Sequence, residues 1–236
     1  MNLRGYSLST IIATTLVVGM PALAADAPAS AGGTAATPAA ANSAGAALHA
    51  LFDREWQRNM QENPLYASDL GDYRYNDKWP DASLAAIQKY HAEDQQALAE
   101  LLKIDRGALS PQDQVSYDLF KWQANDSNDS FRFHEYLFPL NQLGGIQTIG
   151  DIATQSLRFE TVKDYQDWLT RLKTFGPYMD QTIALLQQGV DEKRVLPKVV
   201  ADRIPEQIAD NLVDDATKSP FYAPFLKRPD FVDAKT

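Results

Sequence analysis

The chain has 236 residues, a formal net charge of −9 at pH 7 and no cysteine. Nucleic acids and anionic lipids both attract clustered Lys and Arg, so the acidic balance argues against either as a partner. The lack of cysteine excludes a disulfide framework, and a folded domain must therefore depend on a buried core. Four Trp, ten Tyr and ten Phe can supply one.

The first 24 residues have the pattern of a secretory signal peptide. Arg4 precedes an apolar run at residues 11–20, and Ala22-Leu23-Ala24 ends the segment with small residues at the cleavage positions. The alternative is an uncleaved membrane anchor, but the run is shorter than the roughly 20 residues that a span needs. We expect cleavage after Ala24, a periplasmic or secreted protein, and no membrane association after cleavage. Removing Arg4 changes the charge from −9 to −10.

Residues 25–47 are almost entirely Ala, Pro, Gly, Ser and Thr. A segment with so little apolar bulk cannot offset the entropy of ordering, which predicts a disordered linker. Residues 48–236 are then expected to form one helical domain.

Helical periodicity begins directly after this linker. Apolar residues recur every four positions and stop before Asn63-Pro64, which predicts a first helix. The segment "LGDYRYNDKWPDAS" predicts a packed loop, and a second helix is expected from Asp81 or Ala82 to about Ile104. The apolar residues that recur along the predicted first helix are Leu48, Phe52, Trp56 and Met60.

A third helix has the clearest start. Ser110 is placed as the N-cap, Pro111 lies in the first turn, and Asp113 follows three residues after the cap. The segment "NDSNDS" at residues 125–130 is predicted to end this helix, because these residues favour turns. Its apolar face is expected to contain Val115, Leu119 and Trp122.

The rest of the chain predicts a long loop and then more helices. Residues 138–161 show little periodicity and contain a glycine pair, which favours a loop. An αα-hairpin follows, with its break at Gly176-Pro177, and a short helix is expected around Pro205 to Leu212. The fold class is therefore predicted to be all-α, a multi-helix array with long loops. The hairpin stripes are Val162, Tyr165, Leu169, Leu172 and Phe175, then Met179, Ile183, Leu186 and Val190.

The segment "HEYLFPL", which starts at His134, imitates the opening of a zinc-peptidase motif. In His-Glu-x-x-His, two imidazoles four residues apart bind one metal ion. Here Phe138 occupies the second position, and a phenyl ring cannot bind zinc. The pair of His91 and Asp94, one helical turn apart, would need a third ligand from elsewhere. The third histidine, His49, has no other histidine at ligand spacing, so no metal ligand is predicted.

Other polar clusters have ordinary explanations. Asp72 with Asp77, and Asp214 with Asp215, can in principle act as acid and base, but on a chain with 31 acidic residues they favour a solvated face. The aromatic and basic segment "DYRYNDKW" can line a ligand groove, or its rings can hold a loop against the core, which we favour. No catalytic or cofactor-binding residue is predicted. The segment contains Tyr73, Arg74, Tyr75, Lys78 and Trp79.

Three blocks together resemble one bacterial family. They are "NPLYASDLGDYRYNDKWPDAS", the run from "GGIQTIGDIATQS" to "TIALLQQGV", and "VLPKVVADRIPEQI". They resemble, in the same order, segments of the family catalogued as domain of unknown function 885. The likeness extends from about Leu48 to the last residues.

This resemblance implies a helical, often exported protein that is a relative of zinc carboxypeptidases. The expected family motif, His-Glu-x-x-Pro-Gly-His, lies in the C-terminal half of longer members. "HEYLFPL" departs from it at Phe138, Pro139 and Leu140, so zinc is expected only in a full-length relative and no cofactor in this chain. The chain is expected to be an incomplete part of a larger metallopeptidase-like fold, with a missing C-terminal half or a peptide substrate as partner. The apolar residues Phe221, Tyr222, Phe225, Leu226 and Phe231 near the last residue favour this reading.

Three functional hypotheses follow. The first is an exported, truncated relative of a zinc-dependent peptidase that is not catalytic as it stands. The second is a complete, non-enzymatic periplasmic module that binds a peptide or protein through exposed apolar surface. The third, which the sequence supports least, is peptide hydrolysis by His91, His134 and nearby carboxylates.

Overall fold

The computed structural model describes the backbone of residues 38–226 and the side chains of residues 43–226. The described residues form nine α-helices joined by loops and 3-10 turns, and they contain no β-strand, only an isolated bridge between Asn141 and Gly144. The predicted all-α class is confirmed. None of the helices in this range is long and apolar enough to cross a membrane. The helices are α1 (Pro38–Glu62), α2 (Pro64–Asp69), α3 (Leu84–Leu101), α4 (Pro111–Arg132), α5 (Ile149–Ser156), α6 (Val162–Lys173), α7 (Phe175–Asp191), α8 (Lys198–Ala201) and α9 (Ile204–Ala209).

The described chain divides into two compact units. The first unit contains residues 38–56 and 94–127, and the second contains residues 57–93 and 128–226. Each unit has its own core. The first core cluster consists of Leu48, Leu51, Ala97, Leu101, Leu109, Tyr117 and Phe120. The second core cluster consists of Trp79, Ala153, Leu157 and Trp168, with partly buried rings of Phe159, Phe175, Tyr178, Phe221 and Phe225 against it.

Helix α1 ends where the sequence predicts, just before Asn63-Pro64, but it begins earlier. Its first residue is Pro38, inside the segment predicted as a linker. Alanine has the highest helix propensity, and Ala44 packs against the first core cluster, so tertiary contact extends the helix into the Ala-rich segment. The predicted signal peptide and residues 25–37 of the predicted linker lie outside the described residues.

Helix α4 begins as predicted and ends later. The Ser110 hydroxyl accepts a hydrogen bond from the Asp113 backbone N–H at 3.1 Å, as an N-cap does. The prediction that "NDSNDS" ends the helix is wrong, because α4 continues to Arg132. Asn, Asp and Ser are weak helix formers rather than obligatory breakers, and Ser127 is held by a 3.0 Å hydrogen bond to Asp94.

The predicted buried face of α4 is also wrong. Val115 and Trp122 are each 62% exposed, and Leu119 is exposed as well, whereas Tyr117, Phe120 and Ala124 are buried. The helix carries apolar residues on two faces, and periodicity alone does not decide which face meets the core. Packing of Tyr117 and Phe120 into the first core cluster decides it.

Two boundaries in the second half of the chain differ from prediction. The segment predicted as a loop contains α5, whose Ala153 is fully buried in the second core cluster. The break between α6 and α7 is at Thr174 rather than Gly176-Pro177. Pro177 lies in the first turn of α7, where backbone N–H groups have no partner within the helix, so proline is tolerated there.

Candidate functional site

The glycine pair Gly144-Gly145 shapes a tight loop in the second unit. Asn141 and Gly144 exchange backbone hydrogen bonds of 2.9 and 3.3 Å, which closes the loop. Gly145 has φ of 143°, a conformation that favours glycine, and a Cβ there would lie 2.4 Å from the Cβ of Leu140. The glycine therefore allows the chain to turn sharply into the 3-10 turn Ile146–Thr148 that precedes α5.

Side-chain amides connect this loop to α9. Gln147 donates to the Asn141 carbonyl at 2.8 Å and to the Gln207 side chain at 3.2 Å. Gln207 donates to the Gln142 carbonyl at 3.0 Å, and Asn211 donates to the carbonyl of Gln147 at 2.9 Å. Because each amide serves both segments, the network holds the loop and the helix in one arrangement.

A cleft of about 380 Å³ lies beside this network. Asp151 and Asp210 contribute carboxylates and Lys218 an ammonium group, and all three residues are exposed. Within residues 43–226, none of these three charged groups forms an ion pair. The cleft thus offers unpaired charges of both signs, together with amide groups. Its lining residues are Gln147, Thr148, Asp151, Gln207, Asp210, Asn211, Lys218 and Pro220.

The structure shows a structural task for one carboxylate of each candidate pair. Asp72 accepts hydrogen bonds of 2.6–3.1 Å from the Arg74 guanidinium, which lower the pKa of Asp72. Asp215 caps the 3-10 turn Ala216–Lys218, and its hydrogen bonds from Thr217 lower the pKa of Asp215. Asp72 and Asp215 are thereby held in the ionised state.

The residues of "HEYLFPL" do not fit a zinc site. His134 adopts a left-handed conformation with φ of 59° and begins a 3-10 turn rather than a helix. Its Nδ1 lies 2.8 Å from the Glu192 carboxylate, and hydrogen bonds from Gln188 and then His134 lower the pKa of Glu192. Leu137 and Leu140 are buried, which is a structural role.

The other two histidines have structural neighbours. The His91 ring stacks on Phe131 with ring centres 3.7 Å apart, and His49 lies 2.8 Å from the Asp113 carboxylate near the start of α4. Asp94 accepts a hydrogen bond from Ser127. In the part of the chain that the structure describes, no three His, Cys, Asp or Glu side chains are grouped to hold a metal ion.

The aromatic and basic segment holds its loop against the second core cluster. The Trp79 indole donates to the Arg171 carbonyl at 2.7 Å and stacks on Tyr178 with ring centres 5.5 Å apart. The Arg171 guanidinium in turn donates to the Tyr75 carbonyl at 3.0 Å and lies over the Trp79 ring. Burial lowers the pKa of Arg171 to about 10. The contacts agree with the favoured explanation, a loop held to the core by its rings.

Sequence reasoning missed the cleft residues, although several lie in the blocks that carry the family resemblance. Gln147 and Asp151 belong to "GGIQTIGDIATQS", and Gln207 belongs to "VLPKVVADRIPEQI". Neither block has a catalytic spacing that would single out these residues.

The comparisons with known proteins support the family and nothing finer. Neither the comparison with curated proteins nor that with solved structures gave a significant match. A family model described as "Bacterial protein of unknown function (DUF885)" matches residues 64–236. This range begins later than the likeness expected from Leu48, and it includes the second and third blocks and all of the first block except Asn63. The chain belongs to this family of bacterial proteins of unknown function.

Proposed function

We propose that this chain binds short peptides with free ends in the cleft between α5 and α9, without hydrolysing them by itself. One observation carries the proposal. The carboxylates of Asp151 and Asp210 and the ammonium group of Lys218 line the same cleft, and none of the three forms an ion pair with the described residues. A short peptide carries the complementary charges, an ammonium at one end and a carboxylate at the other. Its backbone amides match the side chains of Gln207 and Asn211.

The volume of the cleft and the fixed positions of its amide side chains support the same ligand class. A volume of about 380 Å³ falls within the range of ~300–1,000 Å³ usual for small-ligand pockets. The amide network keeps Gln207 and Asn211 in place before a ligand arrives, which reduces the entropy lost on binding.

The relation to zinc peptidases and the export belong to the same proposal. The resemblance supports a domain that forms the wall of a peptidase-like substrate cleft, and residues 1–24 support export with cleavage after Ala24. The absence of hydrolysis rests on "HEYLFPL", where Phe138 replaces a ligand and His134 is engaged by Glu192.

Calorimetric titration with trialanine tests the binding proposal. We expect binding that weakens up to about fivefold when the N-terminus is acetylated or the C-terminus amidated, since each exposed charge pair contributes up to ~1 kcal/mol. Asp151→Asn combined with Asp210→Asn should remove the effect of acetylation, and Lys218→Gln that of amidation. Asp202→Asn is the matched control, because Asp202 is exposed and pairs with Lys198 outside the cleft.

Chromatography of the peptide after incubation with zinc tests the second half of the proposal. We expect intact trialanine. Cleavage that is lost in His134→Ala would contradict the non-catalytic reading, and a lack of any binding would contradict the proposal as a whole.

Export is tested separately by N-terminal sequencing of the protein from a bacterial periplasmic fraction. The expected first residue is Ala25. A mature protein that retains residues 1–24 would support the anchor instead.

A further inference from the structure

Helix α7 carries an apolar stripe that its own unit leaves uncovered. The stripe consists of Met179, Ile183, Leu186 and Val190, at spacings of four, three and four residues, so the side chains follow one line along the helix. Ile183 is 55% and Val190 57% exposed, Met179 is exposed, and Leu186 is half-buried. The side of α7 that meets the core is a different one, formed by Thr182, Leu185 and Gly189.

An acidic border runs beside this stripe. Asp180 and Asp191 are exposed on the solvent side of α7, and Gln187 between them donates to Asp191 at 3.1 Å. From Phe175 to Asp191 the helix contains no Lys, Arg or His. The border therefore places two negative charges beside the apolar line.

The charges decide between two occupants. If two copies paired antiparallel through this stripe, Asp180 of one copy would face Asp191 of the other. Like charges opposed across a contact are destabilising. A helix with Lys or Arg beside its own apolar line would instead form ion pairs with both aspartates.

We propose that the stripe of α7 is a docking surface for a basic amphipathic helix of another protein. The partner places apolar residues at spacings of three and four against Ile183 and Val190. Its Lys or Arg side chains pair with Asp180 and Asp191. This is helix recognition through a line of apolar anchors, with charge setting the choice of partner.

The probe is a synthetic 14-residue helical peptide with Leu at those spacings and Lys at the flanking positions. The peptide carries a fluorescent label, and its fluorescence anisotropy is measured as the full chain is added. A second peptide has Glu in place of every Lys. We expect the Lys peptide to bind, and Ile183→Ser to weaken this binding roughly tenfold, because most of an apolar side chain is lost from the contact. The Glu peptide should not bind measurably.

Two further variants keep the test specific. Val199→Ser on α8 removes a still more exposed apolar side chain away from the stripe, and it should leave the affinity unchanged. Asp180→Asn should weaken binding and reduce its dependence on salt. Because Ile183 and Val199 are both exposed, neither serine variant should disturb folding, which far-UV circular dichroism checks.

Three results would overturn the proposal. If the Lys peptide binds the Ile183→Ser and Val199→Ser variants equally well, the attraction comes only from the net charge of −9. If the Glu peptide binds as tightly as the Lys peptide, the acidic border plays no part. If the chain is a dimer by light scattering and Ile183→Ser makes it monomeric, the occupant is a second copy.

Discussion

The two core clusters are built in different ways. The first consists mainly of Leu side chains, together with Ala97 and the rings of Tyr117 and Phe120, and all of its members except Leu109 lie on the long helices α1, α3 and α4. The second consists mainly of aromatic rings, and both of its indoles also form directed hydrogen bonds. Trp79 donates to the Arg171 carbonyl and Trp168 to the Phe221 carbonyl. A loop or short turn has no long helix to fix its position. A buried ring with a polar atom can fix it instead, through a directed hydrogen bond.

This difference predicts the largest loss of stability at Trp168, which is fully buried. Trp168→Ala should lower the free energy of unfolding by about 4 kcal/mol, from the cavity and from the Phe221 carbonyl that loses its donor. Urea denaturation followed by far-UV circular dichroism measures it. Trp168→Phe, which keeps a ring but no N–H, should recover most of the loss. A loss below about 1 kcal/mol for the alanine variant would contradict the importance of this ring.

In the first core cluster we expect a somewhat smaller loss at Leu101. This side chain is fully buried, and Leu101→Ala should cost about 3 kcal/mol because it leaves a cavity but no unpaired polar group. Leu102→Ala is the matched control, since Leu102 is adjacent and exposed, and it should cost less than about 0.5 kcal/mol. Equal costs in urea denaturation would mean that the cluster is assigned wrongly.

The helix caps extend the comparison to acid stability. Burial opposes ionisation of Asp164, but hydrogen bonds from the Glu160 and Thr161 backbone and from Arg158 lower the pKa of Asp164 below its ordinary 3.8. A lowered pKa means that the ionised group stabilises the fold above pH 3.8 and that this stability is lost as the pH falls through the folded value. Asp164→Asn should cost about 1–2 kcal/mol at pH 7 and flatten the decline of stability in acid.

The first unit offers a matched carboxylate for this titration. The hydrogen bond with His49 is the main cause that lowers the pKa of Asp113, and Asp113 is more exposed than Asp164. Asp113→Asn should therefore change acid stability in the same direction by a smaller amount. Unfolding free energies measured between pH 2 and 7 compare the two variants, and a larger effect at Asp113 would contradict this order.

The smallest effect is expected at Trp122. Its side chain is 62% exposed on the outer face of α4, so Trp122→Ala should change the free energy of unfolding by no more than about 0.5 kcal/mol. Phe120→Ala on the buried face should cost several times more. A loss of more than about 2 kcal/mol in the free energy of unfolding for Trp122→Ala would instead support the buried face of α4 that periodicity predicts.

Local signals predicted much of the fold. Ser110 with Asp113 marks the start of α4, and Asn63-Pro64 marks the end of α1, because capping and proline chemistry involve only neighbouring residues. The buried face of α4 was not predictable in this way. Both of its faces carry apolar residues, and the choice depends on packing against α1 and α3.

The candidate site shows the same limit more strongly. The departure of Phe138 from a zinc motif was visible in the sequence, and the structure adds that His134 faces Glu192. Gln147 and Gln207 are far apart in the chain, and only the fold brings their side chains within 3.2 Å. Amide side chains have no diagnostic spacing, so sequence reasoning had no signal that would join them into one cleft.

The most direct test of the proposed peptide binding is a nitrogen–proton correlation spectrum of the labelled chain during titration with trialanine. We predict chemical-shift changes in the side-chain amides of Gln147, Gln207 and Asn211 and in the backbone amides of Asp210 and Lys218, with saturation at one peptide per chain. An unchanged spectrum, or changes confined to residues outside the cleft, would contradict the account.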